Sequence, residues 1–293
     1  MEDFFIFTEA YKCGVILKKS LETFHQYHDD KVVIFGTPED FQHITQHTNN
    51  VLVDVSEHLD IINGFNNGHR GTATILAKII DNTLTDKTKI IHFDSDTIFT
   101  GECISELKKR LLGGFDLVGP YRCYKNNLNG RKDLGELSDV VQTYIFGFNK
   151  NKITKRGLGE LIPMCQGLRN PYGHPILDFF DPISFDILYN GGRIHFLDFN
   201  DYGGMDETGN KNNIYGEINV KIDFGSKLIH FAGVGSGMNF YNNPNNNTHE
   251  GYKKWAKSQY VIYQKLFYDE NFDGEYDHEK YLKIKSAIDV NLG

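Results

Sequence analysis

Two aspartates one residue apart, Asp94 and Asp96, close the run Ile90-Ile91-His92-Phe93-Asp94-Ser95-Asp96-Thr97. An apolar strand over Lys89 to Phe93 would deliver both carboxylates where its chain leaves a sheet. In open parallel sheets ligands bind beyond the carboxyl ends of the strands. Two anions placed there repel each other unless a cation sits between them. Hard oxygen ligands suit magnesium or manganese, so the pair reads as a divalent metal site.

A histidine far downstream ends a second apolar stretch, Lys227-Leu228-Ile229-His230-Phe231, and a glycine-rich turn, Gly233-Val234-Gly235-Ser236-Gly237, follows it. Imidazole completes manganese sites, and glycines let backbone amides approach phosphates. A lone histidine beside an apolar run is more often structural. Taken with the D-x-D pair, His230 is expected to be the third ligand.

The elements that must position these groups alternate along the first hundred residues. Phe4 to Phe7, Lys31 to Phe35, Val51 to Val55 and Lys89 to Phe93 read as short buried strands. Helical spacing separates them: Val15, Leu17, Leu21 and Phe24, then a short helix near Asp40 to Gln46, then Thr72 to Ile80. Strand and helix in alternation predict a Rossmann-like α/β fold, a mostly parallel central sheet flanked by helices. Beyond residue 115 the rhythm loosens into a smaller acceptor-side subregion. Tyr121 to Ser138 reads as a long loop, Val140 to Phe148 as one strand, Pro182 to Tyr189 as a helix and Arg193 to Phe199 as a strand. Gly251 to Tyr268 is helical and aromatic-rich, and the charged residues after it are expected to be peripheral. The soft boundary divides residues 1–115, a nucleotide-binding half, from residues 116–293, an acceptor-binding and catalytic half, within one continuous domain.

Composition narrows the function classes. The chain's 293 residues are enough for one sizeable core or two small ones sharing an interface, and at 40% hydrophobic and 24% charged they have the balance of a soluble globular protein. A net charge of −8 argues against nucleic acid as a partner, because phosphate binders present a basic face. Cys13, Cys103, Cys123 and Cys165 lack metal-ligand or disulfide-framework spacing and fit reduced thiols. No stretch is long and apolar enough for a signal segment or a membrane span, so a cytoplasmic location is expected.

These motifs, in this order, resemble the GT-A glycosyltransferases, most of all the glycogenin and bacterial lipopolysaccharide galactosyltransferase group. The resemblance spans roughly residues 4 to 240 as an ordered set of short motifs. It implies a GT-A fold and a metal-dependent transfer of a sugar from a nucleotide-sugar, by default a UDP-sugar, to a glycan or other hydroxyl acceptor. In that group the end of the first strand holds the nucleotide base, where Phe7-Thr8-Glu9-Ala10 stands here. An A-R-L-like element before the D-x-D supplies a cation to the donor, and Ala77-Lys78-Ile79 matches it with Lys78. The late H-x-G motif is matched by His230-Phe231-Ala232-Gly233. On this reading the metal, Mn2+ or Mg2+, is held by Asp94, Asp96 and His230, while Thr8, Glu9, Ala10, Lys78, Ser95 and Gly233 face the donor. The family's H-x-G is usually followed by a lysine and Pro-Trp that contact the diphosphate. Val234-Gly235-Ser236-Gly237 stands there instead, leaving that contact to backbone amides or to Lys227.

The resemblance also places a catalytic carboxylate before a helix beneath the acceptor, where Leu177 to Ser184 carries Asp178 and Asp181. Asp181 before Pro182 equally suits a helix N-cap. An inverting enzyme needs a carboxylate to take the acceptor's proton, and a retaining one needs a group near the anomeric carbon. Both aspartates stay candidates, with Asp206 behind them. Tyr121, Tyr124, Tyr144, Phe146 and Tyr172 are candidate sugar-stacking rings. Two rivals share features: a haloacid-dehalogenase-type phosphatase with Asp94 as nucleophile, whose motif normally lies on the first strand, and a non-catalytic sugar-binding module.

Overall fold

A computed structural model describes residues 4–66, 70–122, 140–153, 180–203, 222–242 and 250–292. Four strands, β1 (Phe4–Glu9), β2 (Val32–Gly36), β3 (Asn50–Asp54) and β4 (Lys89–Phe93), pair in parallel in the order β3-β2-β1-β4. They alternate with helices α1 (Gly14–Tyr27), α2 (Pro38–Phe41), α3 (Leu59–Asn66) and α4 (Arg70–Ile80). The sheet continues through β8 (Ile145–Asn149), antiparallel to β4, to β6 (Leu117–Arg122). There β6 pairs with the short antiparallel β7 (Val140–Val141) and, in parallel, with β9 (Ile194–Leu197). The Rossmann-like α/β expectation is therefore met, with β7 and β8 running against the rest.

Both faces of this sheet are covered, and for that reason its strands read as continuous apolar runs rather than alternating ones. Side chains at successive positions still part to opposite faces. Ile6 and Ile91 join Leu17, Leu21 and Phe24 of α1 and Leu107 and Leu111 of α5 (Ile104–Leu112). Phe7 and Ile90 join Ala73, Leu76 and Ile79 of α4 and Ile183 and Ile187 of α6 (Asp181–Tyr189). Each fully buried Leu, Ile or Phe contributes about 1.5–3 kcal/mol, which makes these two apolar layers the main force fixing the sheet.

A second layer holds the downstream motif. The three residues of β5 (Thr97–Phe99) pair antiparallel with β11 (Leu228–Phe231), which pairs with β10 (Ile222–Phe224). Behind them pack α8 (Val234–Asn242), α9 (Glu250–Phe267) and α10 (His278–Leu292); the four-residue α7 (Phe199–Tyr202) lies by β10 and β11.

Three local expectations are corrected. Val140 to Phe148 is not one strand: β7 pairs with β6 at Tyr121↔Val141 but β8 pairs with it at Val118↔Gly147, a register shift of three residues that leaves Gln142 to Tyr144 outside both strands. The glycine-rich segment after His230 is not a turn but the first turns of α8, entered through Gly233 at φ +85°. A Cβ on Gly237 would lie 1.9 Å from the Ala256 carbonyl oxygen, so glycine is what lets α8 sit backbone to backbone on α9. The charged C-terminal segment is not peripheral, because α10 buries Tyr281, Ile284 and Ile288 against Phe231 and Tyr263. Among the described residues no helix is long and apolar enough to cross a membrane.

Candidate metal centre and donor cleft

The strand β4 ends at Phe93, and Asp94 and Ser95 begin the turn that leads into β5. Its shape is held from inside: Thr97 N donates to Asp94 O at 3.1 Å, and Thr97 Oγ1 donates to Tyr144 O at 3.2 Å. The antiparallel register then sets His230 opposite Thr97, and Phe231 N donates to Asp96 O at 3.0 Å. Ladder pairing, not sequence proximity, brings the imidazole to the two carboxylates. His230 Nε2 lies 3.3 Å from Asp96 Oδ1 and 3.6 Å from Asp94 Oδ2. One ligand atom from each of the three side chains lies within 4.8 Å of the others. The Tyr144 ring stacks on His230 at 4.5 Å and 17°, and its hydroxyl donates to Tyr202 O at 2.8 Å, which fixes the plane of the imidazole.

Electrostatics behind the triad are shaped by β1. Glu9, at the end of that strand, accepts from His92 Nε2 at 2.9 Å, and His92 Nδ1 stands 3.9 Å from Asp94 Oδ1. Burial alone would depress the fully buried His92, but the Glu9 carboxylate and then Asp94 reverse this and hold the imidazole above its ordinary range. Burial raises the Asp94 carboxyl to about 7; His92 and His230 pull it down, while Asp96 and Glu9 push it up. Two carboxylates this close together repel each other, and a cation between them would relieve that repulsion. Two carboxylates and one imidazole fit Mn2+ well and Mg2+ less well, because nitrogen ligation favours the softer ion.

The triad opens on a cleft of about 640 Å³. At the β1 end it is lined by Glu9, Tyr11 and Lys12, with Phe65 and Asn66 from α3. Tyr11 and Phe65 stack face to face at 4.7 Å and 9°. Asn66 Oδ1 accepts from Tyr11 Oη at 2.8 Å and from Lys12 Nζ at 3.1 Å. Lys12 sits at φ +57°, a left-handed conformation costly for a residue with a Cβ, of the kind that concentrates at functional sites. Gly233, Gly235 and Ser236 line the α8 side, where the first N–H groups of a helix lack intrahelical partners and favour anions.

Several expected donor residues stand elsewhere. Thr8 and Ala10 are fully buried, and neither is among the cleft-lining residues. Lys78 on α4 ion-pairs with Asp60 at 2.9 Å, away from the cleft lining. Lys227 is tied to Asp201 at 2.7 Å and is likewise outside it. Glu9, Ser95 and Gly233 do line the cleft, and Cys13 Sγ lies 3.3 Å from Ser95 Oγ with burial pushing its thiol well up. Asp178 and Asp206 lie outside the described residues, as do Tyr124, Tyr172, Cys123 and Cys165. Asp181 opens α6 with Phe180 in the cap position, so the expected N-cap falls one residue earlier. Phe146 is a packing ring, stacked on Phe180 at 4.0 Å, and Tyr121 packs edge-on against Phe196.

Sequence reasoning missed Tyr11, Lys12, Phe65, Asn66 and the cleft's Tyr252 and Trp255. Only Lys12 carried a usable signal, a cation just after the first strand.

No protein-family model matches this sequence, and no curated protein matches it. Among solved structures the chain is similar to the apo form of mouse xyloside xylosyltransferase 1, with a TM-score of 0.45 and 9% identity, covering 68% of this chain and 86% of that one. It is also similar to the apo structure of WbbM, a bifunctional glycosyltransferase, with a TM-score of 0.44 and 14% identity, covering 68% of this chain and 39% of that one.

Proposed function

We propose that this protein is a metal-dependent glycosyltransferase that moves a sugar from a nucleotide-sugar, by default a UDP-sugar, to a glycan or other hydroxyl acceptor. The observation that carries this reading is the convergence of Asp94, Asp96 and His230, from two separate sheets, at the floor of one cleft. Mn2+ held by these three groups would act as a Lewis acid on the leaving nucleoside diphosphate. The protein's own groups supply the rest. Tyr11 and Phe65 offer a stacking face for the base, and Lys12 an exposed cation for the phosphates. Tyr144 holds His230 in plane, and the Glu9–His92 pair backs Asp94. Asp181, at the head of α6, and Asp178 are the acceptor-side carboxylates. The cleft half before residue 115 takes the donor, and the half after it the acceptor.

The phosphatase alternative is not favoured. That family's motif normally lies on the first strand, whereas here β4 precedes it as the fourth strand in the chain and both motif aspartates face His230.

A thermal-shift panel of nucleoside diphosphates, with and without Mn2+, tests the reading, since ligands of the native state raise Tm by mass action. A Mn2+-dependent rise with UDP that is lost in Asp96→Asn is the expected outcome. A rise with Mg2+ and a phosphate mimic, and none with any nucleotide, would overturn it.

A further inference from the structure

The cleft has a second aromatic surface that the donor reading leaves unused. Tyr252 and Trp255 lie one helical turn apart on α9, their rings 5.3 Å apart and tilted by 41°. Both line the cleft, and Tyr252 is 42% exposed. The pair is held from behind. Tyr252 Oη bonds Ser236 Oγ at 3.2 Å, and the Phe240 ring meets Tyr252 edge-on at 5.8 Å. With the Gln259 amide turned so that its oxygen accepts, Trp255 Nε1 donates to it at 3.1 Å, so the indole's polar edge points into α9.

The neighbouring α8 floor is stripped of side chains. The benzo edge of Trp255 rests on the backbone of Gly233, where a Cβ would lie 2.4 Å from Trp255 Cη2. A Cβ on Gly235 would meet nothing within 4 Å, so this floor is open. Gly233 is three residues beyond His230, so the surface begins at the metal triad and lies on different elements from the Tyr11–Phe65 stack. Two aromatic faces joined by a smooth floor, with Ser236 and Asn239 at the rim, fit a pyranose ring, whose C–H face is apolar and whose edge carries hydroxyls.

We infer that Tyr252 and Trp255 form the acceptor subsite, stacking a pyranose of the acceptor glycan beside the donor. This inference rests on the glycosyltransferase reading for the donor but is tested apart from it. Trp255 is the one tryptophan of the chain, so intrinsic fluorescence reports this surface directly. The probes are methyl glycosides and disaccharides of common hexoses and xylose, titrated with and without UDP and Mn2+. Saturable quenching by a glycoside, weakened about 5- to 10-fold in Tyr252→Ala and Tyr252→Val while UDP with Mn2+ still raises Tm, is the expected result. Because Tyr252 is exposed, these variants keep the fold. Trp255 emission that responds to UDP but to no glycoside would put the nucleotide there and overturn the assignment. No response to any glycoside, with the UDP shift intact, would overturn it too and leave the donor reading standing. Loss of the UDP shift with glycoside quenching retained would instead sink the donor reading and keep the sugar platform.

Discussion

Replacing Gly233 by alanine should destabilise the protein by about 2–5 kcal/mol, and two separable effects produce that figure. Gly233 sits at φ +85°, where a residue with a Cβ is strained by roughly 1–2 kcal/mol. The added methyl would also lie 2.4 Å and 2.7 Å from two carbons of the Trp255 ring, an overpacking that costs about 1–3 kcal/mol. For a chain of this length each kcal/mol lowers Tm by about 2 °C, so a fall of roughly 4–10 °C is expected in calorimetry. Gly235→Ala is the internal control, because its methyl projects into open space within the first turns of α8. It should change stability by no more than about 1 kcal/mol, in the stabilising direction, as alanine favours the helix. A double-mutant cycle then parts the two effects: in a Trp255→Ala background, Gly233→Ala should cost only the backbone share. If Gly233→Ala melts with wild type, or costs as much without the indole as with it, the reading of the α8–α9 junction is wrong.

Two more outcomes follow from the same geometry. Lys12→Met should weaken UDP about 3- to 10-fold in isothermal titration while leaving uridine unchanged, and the difference should shrink with salt, because the exposed ammonium acts on phosphate charge alone. Equal weakening of both ligands would place Lys12 at the base. His28 is buried against Phe24 and Phe99 with Nδ1 3.1 Å from Glu102 Oε1; burial lowers its pKa, outweighing Glu102 and Asp30, while Lys108 lowers it further. The native imidazole therefore resists protonation while the unfolded one gains a proton below about pH 6.5, so stability contributed by this site is present above that pH and lost as pH falls. His28→Gln should flatten the urea-derived stability profile between about pH 7 and pH 5 by up to one proton; an unchanged slope would remove His28 as the cause.

Local pattern was enough for the carboxylates and the strands that carry them. Lys89 to Phe93 is apolar because β4 is buried on both faces, and a D-x-D at its end is therefore legible as a candidate site from sequence. Helices with an apolar face against the sheet, α1 and α4, declared themselves by spacing for the same reason. What periodicity could not carry was pairing. The three-residue β5 is too short to show a period, yet its register with β11 is what turns His230 toward Asp94 and Asp96. The split of Val140 to Phe148 depends on where β7 and β8 each pair along β6, a long-range register that no neighbour in the chain announces. Lys78 matched a motif in sequence but meets Asp60 in space, while Lys12, in no motif, reaches the cleft. Tyr252 and Trp255 read as ordinary members of an aromatic-rich helix. Side-chain type and spacing fix which groups can do chemistry and which faces must be buried, because both are properties of a short stretch of chain. Which of those groups share a cleft is set by how distant surfaces pack, and only the tertiary structure decides that.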